Sequence, residues 1–382
     1  MTPQWKASKW IGAPTFTAFR FGRFLVARLD GPHRVLTTSP CVHGLSENVS
    51  HIVNHQSCEA VGHKSRYEEI SRLGREAYHR EVCRSLSLEP DATAVMGTAA
   101  NMMYAAHEAA SFGGLRVDAI VTGGVDGNAT SSGDPADWVE APEGWNKLPP
   151  VAGTINTIVI VSHPLAPDAL VRALMTVTEG KTGALLDLGV SSRQSQNLAT
   201  GTGTDQVSIA APVRDEEYQY TSASPHSKLG ELLGLSVRNA TKRALQWENG
   251  LEPSLTRGLL HSLRRFGVSE ISFLEAMNAR LDADALKLLR ENQNGVLYDP
   301  QVAAAVYAFV AVWDRVRAGV LPPSLAGDVF RQQAASIASA LAAQTDRWYA
   351  FWQRLEVDPV RPLDAVYDAI ALGWTMKWTS AG

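Results

Sequence analysis

The sequence predicts an α/β fold, a mixed sheet flanked by helices with glycine-rich turns at its strand ends, followed by an all-α helical C-terminal extension. Three observations carry this prediction. Short apolar or alternating runs recur through the first two-thirds and end in Gly- or Thr-rich turns. Segments with helical spacing lie between them. Beyond about residue 250 glycine becomes sparse, and alanine, leucine and tryptophan fall into long helical patterns. A chain of 382 residues exceeds what one hydrophobic core usually organises. We therefore read residues 1–250 as an α/β domain and 251–382 as a helical domain or layer.

Taken in order, residues 23–29 and 34–39 read as two short strands joined by Asp30-Gly31-Pro32. Residues 67–86 place Ile70, Leu73, Ala77 and Val82 at helical spacing. A short apolar run follows at 92–96, and the Ala- and Met-rich stretch 98–111, without internal Gly or Pro, predicts a helix. Residues 117–122 form a strand closed by Gly123-Gly124, and 127–150 a long loop, with Trp138 and Trp145, that reads equally as a lid or as an ordinary surface excursion. The run 155–161 has the continuous apolar character of a buried strand. Pro167 opens a helix, Val207 to Val213 alternate as a strand, and a further helix begins at Ser224-Pro225. In the extension, 303–316 and 325–355 are the clearest helices of a bundle of four to six, with its tryptophans as bundle core.

Composition narrows the function classes. The 45% hydrophobic and 19% charged residues are those of a globular protein. A net charge of −4 removes the usual electrostatic case for nucleic acid or anionic lipid. No apolar window spans a bilayer and residues 1–30 lack a signal-peptide core. Cys41, Cys58 and Cys83 make no disulfide framework. The expectation is a cytoplasmic protein with a small-molecule ligand and no nucleic-acid or membrane partner; homo-oligomerisation stays open.

Two segments carry the strongest chemical signal. In Ala199-Thr200-Gly201-Thr202-Gly203-Thr204-Asp205, glycines and threonines expose backbone N–H groups and hydroxyls on one loop, suited to an anion or a developing oxyanion. The alternative is a tight turn into the next strand. In Ser224-Pro225-His226-Ser227-Lys228-Leu229-Gly230-Glu231, His226, Ser227 and Lys228 fall in the first helical turn, where the dipole favours a neutral imidazole able to accept a proton. Lys228 opposes that dipole and calls for an anionic partner; the alternative is a plain cap with a surface histidine. Asn156, opening an apolar strand within Gly153-Thr154-Ile155-Asn156, must hydrogen-bond a loop or a ligand amide. Gly123-Gly124-Val125-Asp126-Gly127-Asn128 is too irregular for a dinucleotide fingerprint. His51 and His55 have the spacing of two metal ligands on a helix, although Asn54-His55-Gln56 also reads as a polar loop, and we expect no metal site.

In this order the segments resemble the adenosylcobinamide amidohydrolase family. The pair 199–205 and 226–231 carries most of the likeness. Thr38-Ser39 with Gly44, Asn54-His55-Gln56, Met96-Gly97-Thr98-Ala99-Ala100, Val121-Thr122, Gly124-Val125, Asn128-Ala129, Gly133-Asp134, 153–156 and Glu179-Gly180-Lys181-Thr182 support it over roughly residues 15–245. Gly44 stands alone where family members often carry several glycines, Gly127 is inserted, and the extension has no counterpart. The resemblance implies a corrinoid-salvage hydrolase that cuts the amide between a corrin propionate and aminopropanol, giving adenosylcobyric acid. The corrinoid is then substrate, and no cofactor is required; a divalent metal is not expected.

Amide hydrolysis needs an activated nucleophile, an oxyanion site and a proton for the leaving amine. The expected catalytic set is His226 or Asp205 activating water, Thr202 and Thr204 at the oxyanion, and Glu231 orienting the helix start. A covalent route through Thr202, Thr204 or Ser227 stays open. The expected substrate-binding set is Lys228, Ser227, Asn156, Asn128, Gly124, Gly201, Gly203, Asn54 and His55. The competing readings are a non-catalytic corrinoid-binding or scaffolding protein, a hydrolase of intact cobamides, and a phosphate-ligand protein.

Overall fold

The computed structural model describes residues 7–136, 138–141, 144–147, 153–214 and 218–378. The chain divides into two compact units, Met1–Leu251 and Glu252–Gly382.

The first unit opens with β1 (Lys9–Ala13), β2 (Phe16–Phe21), β3 (Phe24–Leu29), β4 (His33–Thr37), β5 (Leu45–Ser46) and β6 (His51–Gln56). Helices α1 (Lys64–Leu73) and α2 (Arg75–Ser85) follow, then β7 (Thr93–Thr98), β8 (Ala106–Phe112), β9 (Leu115–Gly124) and β10 (Ala129–Thr130). The hairpin β11 (Trp138–Ala141) and β12 (Gly144–Lys147) precedes β13 (Thr154–Val161), α3 (Pro167–Asp187), β14 (Gly201–Thr202), β15 (Gln206–Pro212) and α4 (Lys228–Asn249).

These strands build two sheets, ordered β1-β2-β3-β6-β7 and β5-β4-β15-β13-β9-β8. Period-two alternation gives each strand two apolar faces. Phe16, Leu25, Ile52 and Met96 of the first sheet meet Val35, Ile120, Ile158 and Ala210 of the second. The outer face of the second sheet, including Val121, Ile155, Val159 and Ile209, packs on α3 and α4. Val26, Val53 and Val95 of the first sheet pack on α2. The unit is thus a helix–sheet–sheet–helix sandwich. Parallel β13 and β15 are joined through α3, so α3 and then α4 run back over the sheet to the end where β13 and β15 begin.

The structure revises several expectations. The stretch 98–111 is not a helix. Asn101 caps a short 3-10 turn at Met102–Tyr104, and β8 pairs with β9 through Gly113-Gly114, whose φ angles of 53° and 89° suit a two-residue hairpin. That turn and the pairing across it override the helix propensity of the alanines. Residues 67–86 hold two helices rather than one, broken at Gly74 with φ 83°. β3 and β4 are strands, but they belong to different sheets. Part of the expected loop 127–150 is strand; the side chains of Trp138 and Trp145 lie outside the described residues.

The second unit is helical: α5 (Pro253–Thr256), α6 (Leu259–Leu263), α7 (Glu270–Asn278), α8 (Ala283–Glu291), α9 (Asn294–Leu297), α10 (Pro300–Arg317), α11 (Ala326–Leu341), α12 (Trp348–Arg354) and α13 (Pro362–Met376). The predicted helix 325–355 is split by Ala343, which takes φ 53°. Phe273, Phe309, Phe330 and Trp374 are core, Trp313, Trp348 and Trp352 pack half-buried against it, and Trp378 is exposed. Among the described residues no helix is long and apolar enough to cross a membrane.

Candidate active site

One mouth of the sandwich, where β6, β7 and β9 end and β13 and β15 begin, concentrates buried polar side chains. Alternation turns Asn54, Thr122 and Asn156 toward the space between the sheets, continuing the rows that hold Ile52, Ile120 and Ile158. Asn54 Nδ2 donates to Thr122 Oγ1 at 2.7 Å. Asn156 Nδ2 donates to Asn54 Oδ1 at 2.8 Å and to the Gly97 carbonyl at 3.1 Å. Gln206 Nε2 reaches the same carbonyl at 2.9 Å, which is available because β7 is an edge strand. Asn156 Oδ1 is buried and has no hydrogen-bond partner. A buried acceptor left open is costly.

Glu248, in the last turn of α4, completes this mouth. Gly124 lies two residues beyond Thr122 on the same face of β9, and a Cβ built on it would lie 3.9 Å from Glu248 Cγ. The absence of a side chain at Gly124 therefore leaves room beside Glu248. Glu248 Oε2 accepts from the Asn101 N–H at 3.1 Å. The carboxyl has no cationic partner among the described residues. Burial, with Asp126 and Glu59 nearby, outweighs the Asn101 hydrogen bond and pushes its pKa up to about 7. Asn101 Oδ1 accepts from Met103 N at 2.9 Å, and its Nδ2 has no partner among the described residues. Gln56 Nε2 donates to Glu59 Oε2 at 3.3 Å.

The Gly-Thr loop lies at the same end, but its donors are used internally. Thr202 N donates to Asp205 Oδ2 at 3.1 Å, Gly203 N to the Asn128 carbonyl at 3.2 Å, and Thr204 N to Thr202 Oγ1 at 3.4 Å. No amide of that trio is left for an oxyanion, which corrects the role expected for Thr202 and Thr204. Asp205 is saturated: it accepts from Thr202 Oγ1 at 2.5 Å and Ile155 N at 3.0 Å, and it pairs with Lys181 of α3. Four donors thus occupy its two oxygens, and none of those contacts is to a substrate-facing group. Gly201 makes the pair feasible, since a Cβ there would lie 2.5 Å from Asp205 Oδ2. Thr204 Oγ1 contacts Thr154 and donates to the Gly153 carbonyl at 2.7 Å. Asn128 Nδ2 ties that carbonyl at 3.0 Å to Thr204 Oγ1 at 3.2 Å. The loop is a staple between α3, β13 and β15.

His226, Ser227, Lys228 and Glu231 lie at the other end. Ser227 caps α4, its Oγ accepting from Gly230 N at 3.1 Å, so the helix starts later than expected and His226 precedes it. His226 is exposed and has no hydrogen-bond partner among the described residues. Lys228 pairs with Glu231 at 2.5 Å and lies 4.7 Å from the centre of the Phe112 ring, at the far end of β9 from Gly124. With 22 residues in α4, His226 and Glu248 are about 30 Å apart. The structure therefore separates His226 and Glu231 from the loop and asparagines they were expected to serve.

His51 and His55 sit on strand β6, not on a helix, so four positions separate them by about 13 Å. His55 stacks on Phe24 at 4.6 Å, and its Nδ1 shares a hydrogen bond with Tyr78 at 2.7 Å. It packs on the α2 face of its sheet, away from Asn54. Burial, reinforced by Arg23 and Arg66, pulls its pKa down to about 4. Among the described residues no three His, Cys, Asp or Glu side chains gather to hold a metal.

Glu248, Asn101 and Gln206 are not among the sequence candidates, and Lys181 enters there only within the 179–182 match, without a role. Glu248 has a legible signal: an acidic residue in the last turn of an amphipathic helix opposes the dipole. The others depend on pairing across the sandwich.

Comparison with known proteins follows the first unit. A family model described as adenosylcobinamide amidohydrolase matches residues 13–253. An uncharacterized protein of Methanocaldococcus jannaschii, MJ1613, is 31% identical over 177 residues, 44% of this chain and 68% of that protein. The crystal structure of the PH0078 protein from Pyrococcus horikoshii OT3 aligns over 69% of this chain and 98% of that one, with 11% identity and a TM-score of 0.29.

Proposed function

The chain belongs to the adenosylcobinamide amidohydrolase family, and from that premise we propose that it hydrolyses the amide joining a corrin propionate to aminopropanol in adenosylcobinamide. Family membership implies a hydrolase; the substrate and the residue roles are our reading. The observation that carries it is Glu248, a half-buried carboxyl with no cationic partner among the described residues, whose pKa is raised to about 7. At neutral pH such a group is divided between base and acid, as amide hydrolysis requires.

In this mechanism the Glu248 carboxylate takes a proton from water as the water oxygen attacks the amide carbon. The carbonyl π pair moves to oxygen, and Asn101 Nδ2, unpartnered among the described residues, is the donor we assign to that oxyanion. The oxyanion collapses, the C–N bond breaks, and the proton held on Glu248 passes to the departing nitrogen. The products are adenosylcobyric acid and aminopropanol. Asn156, held against Asn54 and the Gly97 carbonyl, orders the buried polar network under the mouth, with Oδ1 an unpartnered acceptor inside it. Asp205 and Lys181 hold the strand ends on which these groups stand and take no part in proton transfer.

The test is incubation of the full chain with adenosylcobinamide, with mass spectrometry for both products, alongside Glu248→Gln. Product from the parent and its loss in the variant support the reading. Binding without product in the parent would instead make the chain a corrinoid-binding protein. Product undiminished in the variant would remove Glu248 from the mechanism.

A further inference from the structure

Beside Glu248 the first unit carries a groove of about 490 Å³. Its walls are Trp10 of β1, Arg20 of β2, Met103 and Tyr104 of the 3-10 turn, His107 of β8 and Trp247 of α4. Met103, Tyr104 and Trp247 are 57%, 44% and 46% exposed, so three large apolar side chains converge in solvent. A cluster of that kind rimmed by polar groups marks a ligand or partner surface rather than leftover core.

The polar groups are fixed in place. Arg20 lies over the Trp10 ring at 4.4 Å, and one of its terminal nitrogens donates to the Met103 and Ala105 carbonyls at 3.1 and 3.4 Å. It has no carboxylate partner among the described residues, so its remaining N–H donors are uncommitted. His107 meets Trp10 edge to face, and its Nε2 is held by Asp118 Oδ1 at 2.8 Å. A guanidinium stacked on indole with donors to spare, flanked by exposed aromatic rings, suits a flat apolar ligand whose rim carries amide carbonyls.

The groove and the reaction mouth share a wall. Asn101 holds Glu248 through its N–H and caps the Met102–Tyr104 turn through Oδ1. Trp247 is the residue before Glu248. We propose that this groove receives one face of the corrin macrocycle, with peripheral amide carbonyls on Arg20, so that one side arm extends past Asn101 to Glu248. The proposal rests on the amidohydrolase reading, since that supplies the macrocycle. A volume of about 490 Å³ covers part of a corrin and does not enclose it, leaving its other face open.

The test measures adenosylcobinamide affinity in the full chain carrying Glu248→Gln, where turnover does not intervene, by quenching of tryptophan fluorescence and by calorimetry. Adding Trp247→Ala, Tyr104→Ala or Arg20→Ala is expected to raise Kd by about tenfold each. Tyr349→Ala, an exposed aromatic of the second unit, is the control and leaves Kd unchanged. Tyr104→Ala keeps the experiment decisive if a tryptophan variant folds poorly, because that side chain is exposed. Parent-like Kd in Tyr104→Ala and Arg20→Ala, with wild-type product formation intact, overturns the groove assignment alone. Absence of both binding and product in the wild-type chain overturns the groove and the amidohydrolase reading together.

Discussion

Helix α4 carries a charge against its dipole at both ends, and the two ends resolve that conflict differently. Lys228 stands in the first turn, where the field favours anions, and Glu231 one turn on neutralises it at 2.5 Å in an exposed pair. Glu248 stands in the last turn, where the field favours cations, and no cation answers it among the described residues. A backbone N–H from Asn101 does, and burial keeps the carboxyl easy to protonate. The first end is an ordinary solvated surface. The second keeps an acid unneutralised among the described residues at the mouth that Gly124 leaves open, and such retained frustration is what a reaction site requires.

The largest test of this contrast is kinetic. Glu248→Gln keeps the Asn101 hydrogen bond and removes the proton shuttle, so kcat should fall by about 10²–10⁴-fold. A melting curve taken alongside separates that loss from unfolding. The same variant should gain stability, because ionising a buried carboxyl is costly. The folded pKa of about 7 lies above the ordinary 4.5. The variant's advantage is therefore absent below pH 4.5, grows from there to pH 7 and stays constant above. Urea midpoints from pH 4 to 8 would show it; an advantage independent of pH would mean that Glu248 is not perturbed.

The asparagine network comes next. Asn156→Ala strips Asn54 Oδ1 of its donor inside the sandwich, which should cost about 1–3 kcal/mol. Gly201→Ala should cost a similar amount, about 1–3 kcal/mol of overpacking, because its Cβ would intrude on the Lys181–Asp205 pair. Both variants report at equilibrium denaturation, and only Asn156→Ala should also depress turnover of the folded fraction.

How much of this was legible follows from what each feature depends on. Strands β9, β13 and β15 and helix α3 declare themselves through local periodicity and a proline at the helix start. The sandwich does not, because which strands enter which sheet is a non-local choice; β3 and β4 are neighbours in sequence and part company in space. The Gly-Thr loop was legible as a loop, yet its composition alone could not say that Asp205 would draw its donors inward. Asn156 was legible as a polar residue at a strand start that needs a partner, and half of its capacity is met by Asn54 and Gly97 while Oδ1 is left open. His226 was attractive for its place beside a helix start. That place is about 30 Å from Glu248 by helix length, a separation that no local pattern reports.

A smaller effect belongs to acid. Burial holds His51 and His55 neutral, with pKa values of about 4 against an ordinary 6.5. The unfolded chain takes up those protons first, so stability is full above pH 6.5 and declines as pH falls toward 4. His55→Gln should flatten that decline, and a slope unchanged in the variant would assign it to other groups.

The smallest expected effect is the most discriminating for the two ends of α4. His226 is exposed, precedes the cap and bonds to no described residue, so His226→Ala should change stability by about 0.5 kcal/mol or less. Because His226 stands about 30 Å from Glu248, the variant should leave kcat/KM within about twofold of the parent. The result to look for is the joint pattern: His226→Ala near the parent and Glu248→Gln far below it, with the parent's pH–rate profile keeping a limb near pH 7 in His226→Ala. Had His226 been the base, His226→Ala would fall far below the parent while Glu248→Gln kept its activity. The two helix ends thus make opposite predictions for the same pair of variants, and their rates choose between them.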